Sequence, residues 1–271
     1  MERISRAIIL FTLLSYAVAG YASDSVTCPD ALRDAVADHF HLANFSADKD
    51  PRIIGESCKI WPHDTNLILS VFAYDEGQGQ GGNAPDQWVN ILVSVYDSRQ
   101  GKLVNAYNYA IGEDATTKVG PESLTLDTAS YPLAKNVYAF GVRFDNAAHM
   151  TSAADPDLIL ENHLTLFIRQ GNTLRPVLKQ FMYYQSFSRD EKNRRAIVSV
   201  DKERAIIRIL PSQTNGLHDL LLAFKPEAAG ADKDEATTPS HGEALKYNGA
   251  RYANARKDAL SSGWQREDEG F

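Results

Sequence analysis

The chain has 271 residues, with 28 basic against 35 acidic side chains, a net charge of −7 and two cysteines. An acidic balance argues against nucleic acid and anionic lipid as partners, because both require a basic footprint. The length suits one large all-β domain or two smaller ones, either able to bury a sizeable core.

Residues 1–22 read as a cleavable signal peptide. Arg3 and Arg6 form a basic head, Ala7 to Val18 is an apolar run, and Gly20 and Ala22 are small residues placed before a cut at Ser23. The run is shorter than the roughly 20 residues that span a bilayer. The rival reading is an uncleaved anchor, and the rest of the chain has no second run long enough to cross a membrane. Cleavage removes Glu2, Arg3 and Arg6 and leaves 26 basic and 34 acidic residues.

Residues 23–57 read as a helical amino-terminal segment. Pro29 to His41 predicts a helix, since Pro29 suits a first turn and Leu32, Val36 and Phe40 repeat at helical spacing. Phe45 to Glu56 predicts a loop, punctuated by Asp50-Pro51 and Gly55. The two cysteines, Cys28 and Cys58, lie in the exported part and are expected to pair, tying this segment to the body. A reactive thiol is the functional alternative, but neither has neighbours that depress a thiol pKa. Ser25-Val26-Thr27 before Cys28 also lacks the residues of a lipid-attachment site.

Residues 58–253 read as a β-rich domain. Leu67–Tyr74 is an apolar run, and Trp88–Asp97 alternates with Val89, Ile91, Val93 and Val95 on one face. Lys102–Ala110, Glu122–Asp127, Val137–Phe144, His163–Arg169 and Leu174–Phe187 follow. Ala196–Asp201, Ala205–Leu210, Asp219–Phe224 and Ala244–Ala253 complete the set. Turns are predicted at Ser98–Gly101 and Gln170–Asn172, and a two-residue hairpin at Asn248-Gly249. The pattern predicts an all-β fold of mainly antiparallel sheets, sandwich-like, with one short amino-terminal helix. A propeller is the alternative, although no repeat of about 40–50 residues fits. Residues 228–240 read as a flexible excursion and 254–271 as a flexible charged tail.

The glycine-rich stretch Asp75–Asp86 is the candidate binding loop. A phosphate loop requires a helix to follow, whereas a strand begins at Trp88. Asp75, Glu76, Asn83 and Asp86 offer oxygen ligands in no recognised calcium spacing, so the segment reads as a rim loop able to contact a ligand beside Trp88. No cofactor or metal is expected. His39 and His41 diverge on a helix, and His63, His149, His163, His218 and His241 show no zinc spacing. No G-x-S-x-G elbow is present, and Ser57 in Gly55-Glu56-Ser57-Cys58 comes nearest. Glu113-Asp114 or Asp155 with Asp157 would make a glycosidase couple only if folding brought them together. Tyr107 with Tyr109, and the cluster Phe181, Met182, Tyr183, Tyr184 and Phe187, read first as core. An exposed subset would form a protein- or carbohydrate-binding patch.

Several stretches resemble a group of exported bacterial β-rich proteins. They are Cys58–Pro62, Val95–Asp97 with Gly101–Val104, Leu124–Ala129, Tyr131–Ala134, Ala139–Arg143, Leu174–Leu178 and Leu245–Tyr252. The resemblance covers most of residues 58–252. It implies a periplasmic or secreted protein of a Gram-negative envelope and supplies no catalytic residues. This chain departs from that pattern in its Gly/Gln-rich Asp75–Trp88 loop and in lacking further cysteines downstream. The favoured expectation is a non-enzymatic binding protein whose partner is a protein or envelope component, for example an inhibitor or immunity factor against an envelope-targeting toxin. A secreted hydrolase with carboxylates converging in the fold, and a structural envelope component, are the alternatives.

Overall fold

The computed structural model describes residues 25–43, 45, 50–75, 87–114, 116–148, 158–193, 196–227, 241–252 and 265–267. The chain is all-β: among the described residues strands dominate, one short helix accompanies them, and the sheet curls back on itself into packed layers. This is the sandwich-like arrangement, and the described strands join one curled sheet rather than the separate blades of a propeller.

The first layer is an antiparallel meander. Strand β1 (Ser25–Val26) pairs with β2 (Ile53–Trp61), followed by β3 (Asp64–Tyr74), β4 (Gln87–Asp97) and β5 (Lys102–Glu113). A short carboxy-terminal strand, Gln265–Glu267, pairs with the end of β5. The second layer contains β6 (Leu124–Ala134), β7 (Val137–Phe144), β8 (Leu158–Gln170) and β9 (Thr173–Arg189). From β9 the sheet continues through β10 (Ile197–Thr214) and β11 (Leu217–Pro226) to β12 (His241–Leu245). A parallel contact, Ala106 with Thr173, joins β5 to β9 and makes the sheet mixed.

Three apolar clusters explain why the central strands read as near-continuous apolar runs. On β3 and β4, Leu69, Val71, Val89, Ile91, Val93 and Val95 face inward and meet Leu126, Phe140, Val142 and Phe167 of the second layer. The opposite face carries Phe72, Tyr74, Leu92 and Tyr96 beneath helix α1 (Asp30–Phe40), whose Leu32, Val36 and Phe40 are buried. A strand covered on both faces loses its polar alternation. β7 and β8 behave likewise, because Ala139, Leu164, Leu166 and Ile168 pack away from the first layer against Leu178, Leu220, Leu222 and Phe224.

Beneath the helix the sheet presents a row of small residues. Cys58 pairs with Ser70, Ser70 with Ser94, and Ser94 with Ala106, and the two buried hydroxyls share a hydrogen bond of 2.6 Å. Cys28 and Cys58 form a disulfide at the end of this row, with Cα atoms 5.2 Å apart. Arg33, buried on the helix, forks onto the carboxylate of Glu56 and fixes the helix to β2.

Four local expectations change. Ile53–Glu56 belongs to β2 rather than to a loop, so β2 runs continuously through position 57. Gly55 is not a breaker: a Cβ there would lie 2.6 Å from the carbonyl oxygen of Pro121, so glycine permits a close backbone approach. The segments at 196–201 and 205–210 are one strand, β10, because Lys202 to Arg204 continue the ladder with β9 and β11. Finally, the Asn248-Gly249 turn is wider than two residues. Tyr247 bridges Tyr252, and the Asn248 side chain accepts the N–H groups of Ala250 and Arg251. This Asx turn replaces the tight ladder.

Candidate functional site

Three hairpin ends that are distant in sequence converge at one end of the layers. Pro62-His63 joins β2 to β3, Lys135-Asn136 joins β6 to β7, and Gly171-Asn172 joins β8 to β9. Asn136 and Gly171 hold positive φ of 65° and 60°, which these tight turns require. Between them opens a cleft of about 260 Å³ lined by Trp61, His63, Asp64, Tyr138, Arg169 and neighbouring turn residues.

Its floor is aromatic. His63 stacks on Tyr138 with ring centres 3.9 Å apart, and Trp61 presents an edge to His63 at 6.3 Å. Trp61 is itself buried against Phe140 at 5.7 Å, so the floor is continuous with the inter-layer core. Partial burial holds the His63 imidazole below its usual pKa, which keeps the ring neutral near pH 7. Asp64 is ordered by accepting the backbone N–H and side-chain amide of Asn66.

One wall carries Arg169. Its Nε donates to Oδ1 of Asn105 at 2.5 Å. Asn105 is only 1 % exposed, and its amide donates to the carbonyls of Gly171 and Thr173 at 2.8 and 3.0 Å. The buried amide therefore holds the guanidinium and the turn together. Among the described residues, the two terminal nitrogens of Arg169 have no hydrogen-bond partner.

A second cleft, larger at about 580 Å³ and more polar, lies beside Arg143, Glu161 and Arg204. Its cations are already committed. Arg143 donates to Asp127 at 2.6 and 2.9 Å and also to Asn162, and Arg204 pairs with Glu227 at 2.9 Å. Burial raises the Asp145 carboxyl above its usual pKa, opposed by the nearby Arg143 charge.

The candidate binding loop is only partly described. Asp75 closes β3, with its N–H donating to Arg52, and lies at the opposite end of that strand from the rim cleft. Trp88, half-buried on β4, lays its ring against Gly112, whose Cβ would meet it at 3.2 Å. Glu76, Asn83 and Asp86 lie outside the described residues, as do His149, Asp155 and Asp157.

The other sequence candidates have structural jobs. Glu113 accepts the N–H of Val119, and Asp114 accepts those of Thr116 and Thr117. Ser57 faces Val71 in the β2–β3 ladder. His218 is held by Leu210 and Gln213, and His241 stacks on Phe224. Tyr107, Tyr109, Met182 and Tyr184 pack in the core. Among the described residues the exposed large apolar side chains are aliphatic: Ile60, Ile197, Val198 and Val200.

His163 is buried edge-on to Phe181, and burial together with the Lys179 charge lowers its pKa to about 3. An unfolded histidine titrates near 6.5. As pH falls through that value the unfolded state takes up a proton that the folded state refuses. The stability this ring contributes is therefore complete above pH 6.5 and declines towards pH 3. Urea unfolding should show a loss of about 2 kcal/mol between pH 7.5 and 5, and His163→Phe should flatten that limb. An unchanged slope in the variant would assign the loss to other groups.

No protein-family model matches the chain, and no curated protein or solved structure matches it either. The cleft therefore rests on its own geometry. No helix among the described residues is long and apolar enough to cross a membrane.

Proposed function

We propose that this protein is exported to the periplasm or cell exterior and acts there as a non-enzymatic binding protein, with the hairpin-end cleft as its recognition site. The observation that carries the reading is the cleft itself, an aromatic floor beside a cation whose terminal nitrogens are uncommitted. Such a constellation of convergent polar groups over an aromatic surface is typical of ligand pockets. Export is supported by the basic-apolar-small sequence of residues 1–22 and by the disulfide, a bond that persists in oxidising compartments. The partner is a molecule of the envelope.

Osmotic-shock fractionation of cells producing the full chain tests the address, and cross-linking through a photoreactive residue at position 136 tests the site. The expected result is a protein in the shock fluid, shortened at its amino terminus, oxidised at Cys28 and Cys58, and joined to an envelope component through the cleft. Full-length protein in the cytosol with both thiols reduced would overturn the address. Cross-links formed equally well by the Tyr138→Ala variant would overturn the site.

A further inference from the structure

We infer that the rim cleft takes a carboxylate-bearing sugar ring, an acidic saccharide unit, with Arg169 gripping the carboxylate. The inference rests on the cleft's being the recognition site and adds the class of ligand.

Four features argue for that chemistry. Arg169 is positioned through Nε by the buried Asn105, which leaves Nη1 and Nη2 as a two-pronged donor pair. A planar fork of this kind matches the two oxygens of a carboxylate, and pre-ordering by a buried neighbour reduces the rotamer entropy lost on binding. Among the described residues the cleft is lined by one arginine, no lysine and the carboxylate of Asp64, in a chain of net charge −7, so a singly charged group suits it better than a polyphosphate. The stacked His63–Tyr138 pair offers an aromatic surface to an apolar ring face, while Asp64 and Asn136 place hydroxyl-binding groups at its edge.

Size narrows the ligand further. About 260 Å³ falls just below the roughly 300–1,000 Å³ of pockets that enclose drug-sized ligands. The cleft therefore holds one ring, and its open position at the hairpin ends suits a terminal or exposed unit of a longer chain.

Trigalacturonate, titrated into the oxidised protein and followed by calorimetry and amide chemical shifts, tests the inference against the neutral trisaccharide maltotriose. The expected result is saturable binding of trigalacturonate, with shifts centred on His63, Asn136, Tyr138 and Gly171, and maltotriose weaker by at least about tenfold. Arg169→Lys keeps the charge but loses the fork, and should weaken trigalacturonate by about tenfold. Arg169→Gln should abolish the preference for the acidic sugar. Arg208→Gln, on β10 and outside the cleft lining, should change neither. Arg169 is exposed, so these variants should fold, and matched circular dichroism and urea midpoints will establish that they do.

Equal binding of both sugars, an unchanged affinity in Arg169→Gln, or no binding at all would overturn the acidic-sugar inference. None of these touches the broader reading, whose address falls on the fractionation result and whose site falls if position 136 fails to cross-link specifically.

Discussion

Replacing both cysteines by alanine, as Cys28→Ala with Cys58→Ala, should cost the protein about 3–4 kcal/mol of stability. The bond spans a sequence separation of 30 residues, and the loop-entropy relation for a closure of that size gives the magnitude. The helix it secures has little support of its own. α1 is 11 residues long, below the length at which an isolated helix persists in water, and Pro29 at its start supplies no side-chain cap. Its attachment depends on the buried face of Leu32, Val36 and Phe40, on the Arg33–Glu56 fork and on the disulfide. Urea unfolding should show a lower midpoint for the variant and a steeper dependence on denaturant, because the unfolded chain is no longer held compact. Amide exchange in Ala31–Phe40 should accelerate beyond the global change. Reductant added to the native protein should reproduce the midpoint shift and leave the variant unmoved. A native midpoint indifferent to reductant would mean that the bond does not constrain the unfolded chain.

Much of the architecture was legible from periodicity. The alternation of Val89, Ile91, Val93 and Val95 assigns these residues to one buried face, and they meet the second layer there. The turns at Ser98–Gly101 and Gln170–Asn172 lie where their glycines predict, with Gly101 at φ 65°. The disulfide was legible by arithmetic, from two cysteines in a chain whose first 22 residues read as an export signal. Where sequence reasoning missed, a residue had more than one physical use. Gly55 reads as punctuation but serves close packing against Pro121. Lys202–Arg204 reads as a break between strands but lies on an exposed part of the sheet, where charged side chains reach water without leaving the ladder.

The cleft was not legible at all. Trp61, Tyr138 and Arg169 are brought together by pairings across tens of residues, which no local pattern encodes. One signal could have pointed there. Asn105 is a polar residue inside the strand pattern Leu103–Ala106, and an amide in such a position needs partners if it is buried. Those partners are the turn at Gly171–Thr173 and Arg169 itself.

Phe140→Ala should be the most damaging single core substitution, costing about 3–5 kcal/mol. The ring is fully buried at the meeting of the two layers, 5.8 Å from Phe167 in a stacked arrangement and 5.7 Å from Trp61, which meets it edge-on. Neighbouring strands leave little room for the cavity to collapse. On the other face of β7, Gly141 packs so closely that a Cβ there would lie 2.5 Å from the Leu164 side chain. Inward movement of β7 would pull that face away from Leu164 and Leu166, so relief in one cluster opens a gap in the other. Phe140→Leu retains much of the volume and should cost less than about 1.5 kcal/mol. Because Trp61 also floors the cleft, the alanine variant should bind trigalacturonate more weakly even when fully folded, whereas Leu222→Ala in the second cluster should lose stability alone. Urea unfolding read by Trp fluorescence, paired with calorimetry below the transition, separates the two effects. A loss under about 1 kcal/mol for Phe140→Ala would mean that the layers do not bear on each other at this ring, and that the cleft floor is not anchored through it.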